Sequence, residues 1–151
     1  MLEVERPSDL AAHLGTSLGP GEWLVVDQRM IDLFAEATGD HQWIHVDVER
    51  ARREMPGGHT IAHGYLLVSL LPRLSQALWR VRRRSRGINY GSNRVRFTAP
   101  VPAGARLRLR QAISAVDPVA GGVRVTMEST VECHGQERPA LVAETISLVY
   151  D

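Results

Sequence analysis

From Ala62 to about Arg80 the apolar residues Leu66, Leu67, Val68, Leu70, Leu71, Leu74 and Leu78 fall on nearly every side of a helix. Such a helix cannot rest on a surface with one face in water; the remainder of the fold has to enclose it. Pro72 is expected to kink it or loosen one turn, because proline brings no backbone N–H and crowds the preceding turn. The C-terminal half supplies the enclosure. Ile88 to Phe97 can be extended, and three long segments follow, Ala105 to Val116, Val123 to Cys133 and Leu141 to Tyr150. The middle one alternates: Val123, Val125, Met127, Ser129, Val131 and Cys133 share one face, and Arg124, Thr126, Glu128, Thr130, Glu132 and His134 the other. That is a strand with one dry face. Asp117-Pro118 with Gly121-Gly122, and His134-Gly135, supply turns, so an antiparallel meander is expected. A long buried helix followed by such a sheet defines an α+β domain in which the sheet curls around the helix. At 151 residues and 44% hydrophobic, the chain has apolar material for one core, and residues 1–151 read as one domain.

Ahead of the buried helix the elements are short. Ser8-Asp9 can cap a helix through His13, Gly19-Pro20-Gly21 turns the chain into a strand from Glu22 to Val26, and Asp27 can cap a further helix. Met30, Leu33, Phe34 and Ala37 form a one-faced stripe on that helix, and Gly39 stands where a left-handed residue would end it. Residues 40–45 then read as loop, and Asp47 can cap an arginine-rich helix through Glu54.

Composition removes several classes of chemistry. All 18 basic residues are arginine, which excludes a lysine Schiff base or lysine general base. A net charge of +1 gives no general attraction to nucleic acid. The single cysteine, Cys133, permits no intrachain disulfide and reads as a core filler. No stretch reaches the roughly 20 apolar residues that span a bilayer, and the first residues are acidic where a secretory signal would be basic, so cytoplasmic residence without membrane partners is expected. Arg80, Arg82, Arg83, Arg84 and Arg86 form a dense block that suits phosphate, but that equally complements a helix C-terminus as a solvated face.

The best candidates for chemistry lie just after Gly39. Asp40 and His45 can bracket one water molecule, the carboxylate accepting from it and the imidazole exchanging a proton near neutral pH. A second segment, Gly57-Gly58-His59-Thr60-Ile61-Ala62-His63-Gly64, is placed to face them. Gly64, at the start of the buried helix, offers an N–H without an intrahelical acceptor, at the end of the dipole that favours negative charge.

Three pieces of the sequence resemble the MaoC-like dehydratases, whose best-understood members are (R)-specific enoyl-CoA hydratases. They are Phe34-Ala35 through Thr38-Gly39-Asp40 to Ile44-His45, then Thr60-Ile61-Ala62-His63-Gly64, then Asn89-Tyr90-Gly91 with Arg94-Val95-Arg96-Phe97 and Pro100-Val101. The wording Thr38-Gly39-Asp40-His41-Gln42-Trp43-Ile44-His45-Val46-Asp47 is nearest the nodulation protein N-like branch. The resemblance implies a homodimeric hot-dog fold acting on a trans-2-enoyl-CoA without cofactor or metal. Asp40 and His45 match the family's carboxylate and imidazole, and Gly64 the glycine whose N–H binds the thioester oxygen. His63 is expected to hold the loop through hydrogen bonds. Trp43 and Tyr90 can line an acyl pocket or fill core. The sequence departs from many hydratases at Gln42-Trp43, where those carry Asn-Pro.

Rival readings exist. His41/His45 and His59/His63 have the spacing of paired metal ligands on a helix, but Gly39 and the residues after it oppose a helix there. A hot-dog thioesterase would use Asp40 and Gly64 against the thioester carbonyl, and a non-catalytic acyl-thioester binding domain would keep the motif without turnover.

Overall fold

The computed structural model describes residues 1–151. In chain order its elements are β1 (Leu2–Val4), a 3₁₀ turn (Pro7–His13), β2 (Ser17–Leu18), β3 (Leu24–Val26), α1 (Gln28–Thr38), α2 (Trp43–Val46), α3 (Val48–Glu54), α4 (Gly64–Ser75), β4 (Trp79–Val81), β5 (Arg86–Phe97), β6 (Ala105–Val119), β7 (Gly122–Cys133) and β8 (Leu141–Tyr150). A six-stranded sheet runs in the order β2-β6-β7-β8-β5, with β3 also paired to β6. The β6–β7, β7–β8 and β5–β8 ladders are all antiparallel.

The alternation in β7 settles which face of the sheet is dry. Val123, Val125, Met127, Ser129, Val131 and Cys133 are buried, and the residues between them are exposed or half-buried. Leu66, Leu67, Leu70, Leu71 and Leu74 of α4 join Leu107, Leu109, Ile113, Val125, Val131 and Leu141 in one core cluster, so the sheet wraps the helix. Each such side chain contributes about 1.5–3 kcal/mol of burial. This is the hot-dog arrangement. No helix is long and apolar enough to cross a membrane.

Several boundaries differ from the sequence reading. The buried helix stops at Ser75, and Trp79–Val81 instead forms β4, parallel to β1. Leu78 and Val81 stay in the core but reach it from the turn after α4 and from β4 respectively. Nor is α4 covered on every side: Tyr65, Ser69, Pro72 and Arg73 make an exposed stripe. The arginine block therefore flanks no helix end. Arg80 and Arg82 both pair with Glu3, and Arg83 pairs with Glu5. Burial alone would raise the Glu3 carboxyl, but these hydrogen bonds hold it below its ordinary value.

Asp117 and Pro118 lie within β6 rather than in the turn, which falls at the Ala120-Gly121 step. Pro118 sits near the strand end, where one missing N–H costs the ladder little. The 3₁₀ turn of Pro7–His13 replaces the expected capped helix, and Asp9 receives a hydrogen bond from the Arg6 N–H at 2.8 Å. On α1, Asp27 does cap through the Met30 N–H and Gly39 does close the helix at φ 76°. Its core face is displaced by one residue, however. Ile31 and Ala35 are buried while Leu33 and Ala37 are exposed, because the side of α1 that meets the body is chosen by tertiary packing. Burial raises the Cys133 thiol above its ordinary pKa, as befits a core filler.

Candidate active site

Gly39 turns the chain out of α1 in the left-handed region, which puts Asp40 at the surface. Residues 43–46 then form one helical turn, so His45 stands on α2 and not in the expected loop. The turn buries the imidazole, and the Asp40 side chain remains exposed. Gln42 N–H reaches an Asp40 carboxylate oxygen at 3.4 Å.

His45 is held by its far nitrogen. Nδ1 lies 2.6 Å from the Ile61 carbonyl oxygen. A carbonyl only accepts, so Nδ1 carries hydrogen and Nε2 is left as the proton-exchanging atom. His63 is fixed in the same way, its Nε2–H donating to the Asp40 backbone carbonyl at 2.9 Å. The His63 ring stacks on that of His45 with centroids 3.8 Å apart and planes 24° apart, and Phe34 packs beside it at 5.0 Å. His63 thereby grips the loop of Asp40 and braces the face of His45 at once.

The Asp40 carboxylate and ring nitrogens of His45 and His63 come within 4.8 Å of one another. His41 and His59 are not among them; His41 is exposed and stands 3.7 Å from Glu36. The cluster has the residue types of a metal site but a different geometry. Imidazole lone pairs lie in the ring plane, and two nearly parallel rings aim them along separate lines rather than at one point. The arrangement suits proton exchange through a water.

Gly64 opens α4 directly after His63, and its N–H donates no hydrogen bond within the chain. A Cβ at this position would lie 2.7 Å from Cδ2 of Phe97, so the ring occupies the space that only glycine leaves. Tyr65 meets the same ring edge-on at 5.7 Å.

Two supports were not legible as site residues. The Gln28 side-chain amide donates to the His45 carbonyl at 2.8 Å and receives a hydrogen bond from the Thr60 hydroxyl at 2.5 Å. It ties α1 to the turn carrying His45 and to the segment whose Ile61 carbonyl orients the imidazole. Its signal was a polar residue one turn before Ile31, on the face of α1 that is buried. Phe97 stands in the third piece of the resemblance, but nothing there signals its contact with Gly64, because the strand residue that meets a glycine is identified only once the chain is folded.

A cavity of about 470 Å³ lies between α4 and the sheet and is not lined by Asp40, His45 or Gly64. Tyr90 lines it from a β-bulge in β5, between Asn89 and Gly91. Trp43 does not, being covered by the Arg50 guanidinium 4.0 Å from its centroid.

The chain belongs to the MaoC-like dehydratase family, whose MaoC-like domain matches residues 9–133. It is 47% identical to 3-hydroxyacyl-thioester dehydratase Z of Mycobacterium tuberculosis, over 97% of this chain and 97% of that protein. Nodulation protein N of Rhizobium leguminosarum bv. viciae is 45% identical over 94% of this chain and 89% of its own length. Among solved structures, R-hydratase PhaJ1 from Pseudomonas aeruginosa superposes with a TM-score of 0.73 at 22% identity, covering 91% of this chain and 82% of that one, a likeness of fold.

Proposed function

We propose that this protein is an (R)-specific enoyl-CoA hydratase/dehydratase, adding water to a trans-2-enoyl-CoA to give the (R)-3-hydroxyacyl-CoA and removing it in reverse. The observation that carries this reading is the gathering of the Asp40 carboxylate and ring nitrogens of His45 and His63 within 4.8 Å, with Nδ1 of His45 engaged by the Ile61 carbonyl so that Nε2 is left free, and with Gly64 directly after His63 at the start of α4. In hydration, water lies between Asp40 and His45. One of the pair takes its proton as the oxygen bonds to the β-carbon, and the pair returns a proton to the α-carbon. The negative charge that gathers on the thioester oxygen meets the Gly64 N–H at the start of α4. Positioned acid–base groups contribute about 10²–10⁴-fold, and a preorganised donor of this kind about 3–4 kcal/mol in the transition state. His63, Gln28 and Thr60 hold these groups in register, and Tyr90 lines the space open to the acyl chain.

The working form is a homodimer. Strand β5 is an edge of the sheet, twelve residues long and exposed at every position but Val95. Its apolar side chains Ile88, Tyr90 and Phe97 are 45%, 64% and 45% exposed. A long bare edge with apolar residues is a template for pairing with a second copy.

The test is hydration of crotonyl-CoA followed by loss of enoyl absorbance, with chiral analysis of the product. The (R)-3-hydroxy thioester is the expected product. Release of free CoA thiol would identify a thioesterase, and unchanged substrate a binding domain.

A further inference from the structure

Five polar residues are buried in this chain: His45, Thr60, His63, Gln111 and Ser129. The site described above accounts for the first three. Gln111 and Ser129 lie elsewhere, and each interrupts an apolar stripe. On β6 the core-facing residues are Leu107, Leu109, Gln111 and Ile113; on β7 they are Val125, Met127, Ser129 and Val131. The two interruptions stand directly opposite each other in the β6–β7 ladder. Gln111 Nε2 donates to Ser129 Oγ at 3.0 Å, and the Trp79 indole N–H donates to Gln111 Oε1 at 3.3 Å.

A polar pair on the dry face of a sheet weakens the core unless its hydrogen-bonding capacity is used. Capacity is left over. The Gln111 amide has two N–H groups and two oxygen lone pairs, and the contacts above engage one of each. Gln111 and Trp79 also line the 470 Å³ cavity, together with Ser69 and Ser75 of α4. The cavity runs beside α4 away from the reacting groups. At 1.5 Å of rise per residue, Val68 is about 6 Å along the helix from Gly64 and Ser75 about 16 Å. A thioester whose oxygen meets the Gly64 N–H can therefore extend the far end of its acyl chain over this floor.

We propose that, in the cavity which the hydratase reading opens to the acyl chain, Gln111, braced by Trp79 and Ser129, selects chains bearing an oxygen function over plain alkyl chains. The inference rests on the hydratase reading for the direction in which the substrate enters. A hydrocarbon tail leaves the remaining amide N–H and lone pair without water or partner, whereas a hydroxyl pairs with either and a keto oxygen accepts from the N–H. One satisfied against one stranded hydrogen bond corresponds to about 5- to 20-fold in specificity.

The experiment compares kcat/KM for trans-2-octenoyl-CoA and its ω-hydroxy and ω-1 keto derivatives in the wild-type protein and in Gln111→Met, which keeps length but has no N–H donor and only a weakly accepting sulfur. Gln111→Leu serves if the first variant does not fold. The expected result is about 5- to 20-fold preference for an oxygenated chain in the wild type, abolished or reversed in the variant. No preference in the wild type, or the same preference in the folded variant, would overturn the proposal, and that is also the outcome if a second copy of the chain fills the cavity. Crotonyl-CoA separates the two levels of argument, because it is too short to reach the floor. Should crotonyl-CoA resist hydration, the hydratase reading falls by itself. Calorimetric titration with octanoyl-CoA and ω-hydroxyoctanoyl-CoA then decides the cavity: tighter binding of the hydroxylated chain, lost in Gln111→Met, sustains it, and equal binding overturns it.

Discussion

Gly64→Ala is the smallest change that probes how the amide at the start of α4 is presented. Alanine retains the N–H, so the donor itself survives. The added methyl would lie 2.7, 2.8 and 2.9 Å from Cδ2, Cε2 and Cγ of Phe97, whereas ordinary contact begins at 3.4 Å. The ring must retreat by about 0.7 Å, or the first turn of α4 must move instead. Its backbone cannot follow easily, because Phe97 is paired with Leu141 in the β5–β8 ladder and the next amide, Thr98 N–H, donates to the Ala140 carbonyl. Overpacking of this size costs about 1–3 kcal/mol, and the half-exposed ring places it at the lower end. For a chain of this length that is a fall in Tm of about 2–6 °C. Displacement of an oxyanion donor by a large fraction of an ångström costs more in rate, about 10- to 100-fold in kcat. The assay is a double-mutant cycle with Phe97→Ala, read by calorimetry and by crotonyl-CoA hydration. Phe97→Ala removes all three clashing atoms, so the double variant is expected to recover much of the loss caused by Gly64→Ala. Additive losses in the cycle, or a Gly64→Ala variant with wild-type Tm and turnover, would show that the Phe97 ring does not set the position of the Gly64 amide.

Asp40→Asn and His45→Gln are each expected to lower kcat by about 10²–10⁴-fold with an unchanged circular dichroism spectrum, since each removes proton exchange at nearly constant volume; near wild-type turnover in both would remove the assignment. Glu132 lies between Arg108 at 2.5 Å and Arg110 at 2.6 Å. Burial alone would raise its carboxyl, but the two guanidinium groups hold it below its ordinary 4.5. A depressed folded-state pKa contributes stability that is complete above the unfolded value and is lost as pH falls through the folded one. Glu132→Gln should therefore lower Tm by a few degrees at pH 7, and the gap should close as pH is taken below about 4.3; a gap independent of pH would contradict the pairing. Sedimentation at micromolar concentration should give twice the 16.7 kDa chain mass, with Tyr90→Asp on the bare β5 edge shifting the protein toward monomer; a fully active monomer would count against the dimer.

Periodicity alone was enough for the α+β architecture. A two-residue alternation such as Val123 to Cys133 gives a strand one dry face, and a helix as apolar as Gly64 to Ser75 has to be covered by it. Local chemistry also marked the ends of α1, because an aspartate cap and a left-handed glycine act within one turn of chain. The residues after Gly39 marked Asp40 and His45, and the resemblance matched them and Gly64 to family positions, but neither disclosed what surrounds them. Only tertiary structure chose the buried side of α1, turned Trp79–Val81 into a strand beside β1, and drew Arg80 and Arg82 onto Glu3. It alone stacked His63 on His45 and set Phe97 against Gly64 across 33 residues of chain, and it alone placed Gln111 opposite Ser129. Alternation assigns a residue to a face of its own strand, whereas a neighbour in space depends on strand order, register and the direction in which each helix packs. Those are decided when the whole core closes, by interactions between segments that no local pattern contains.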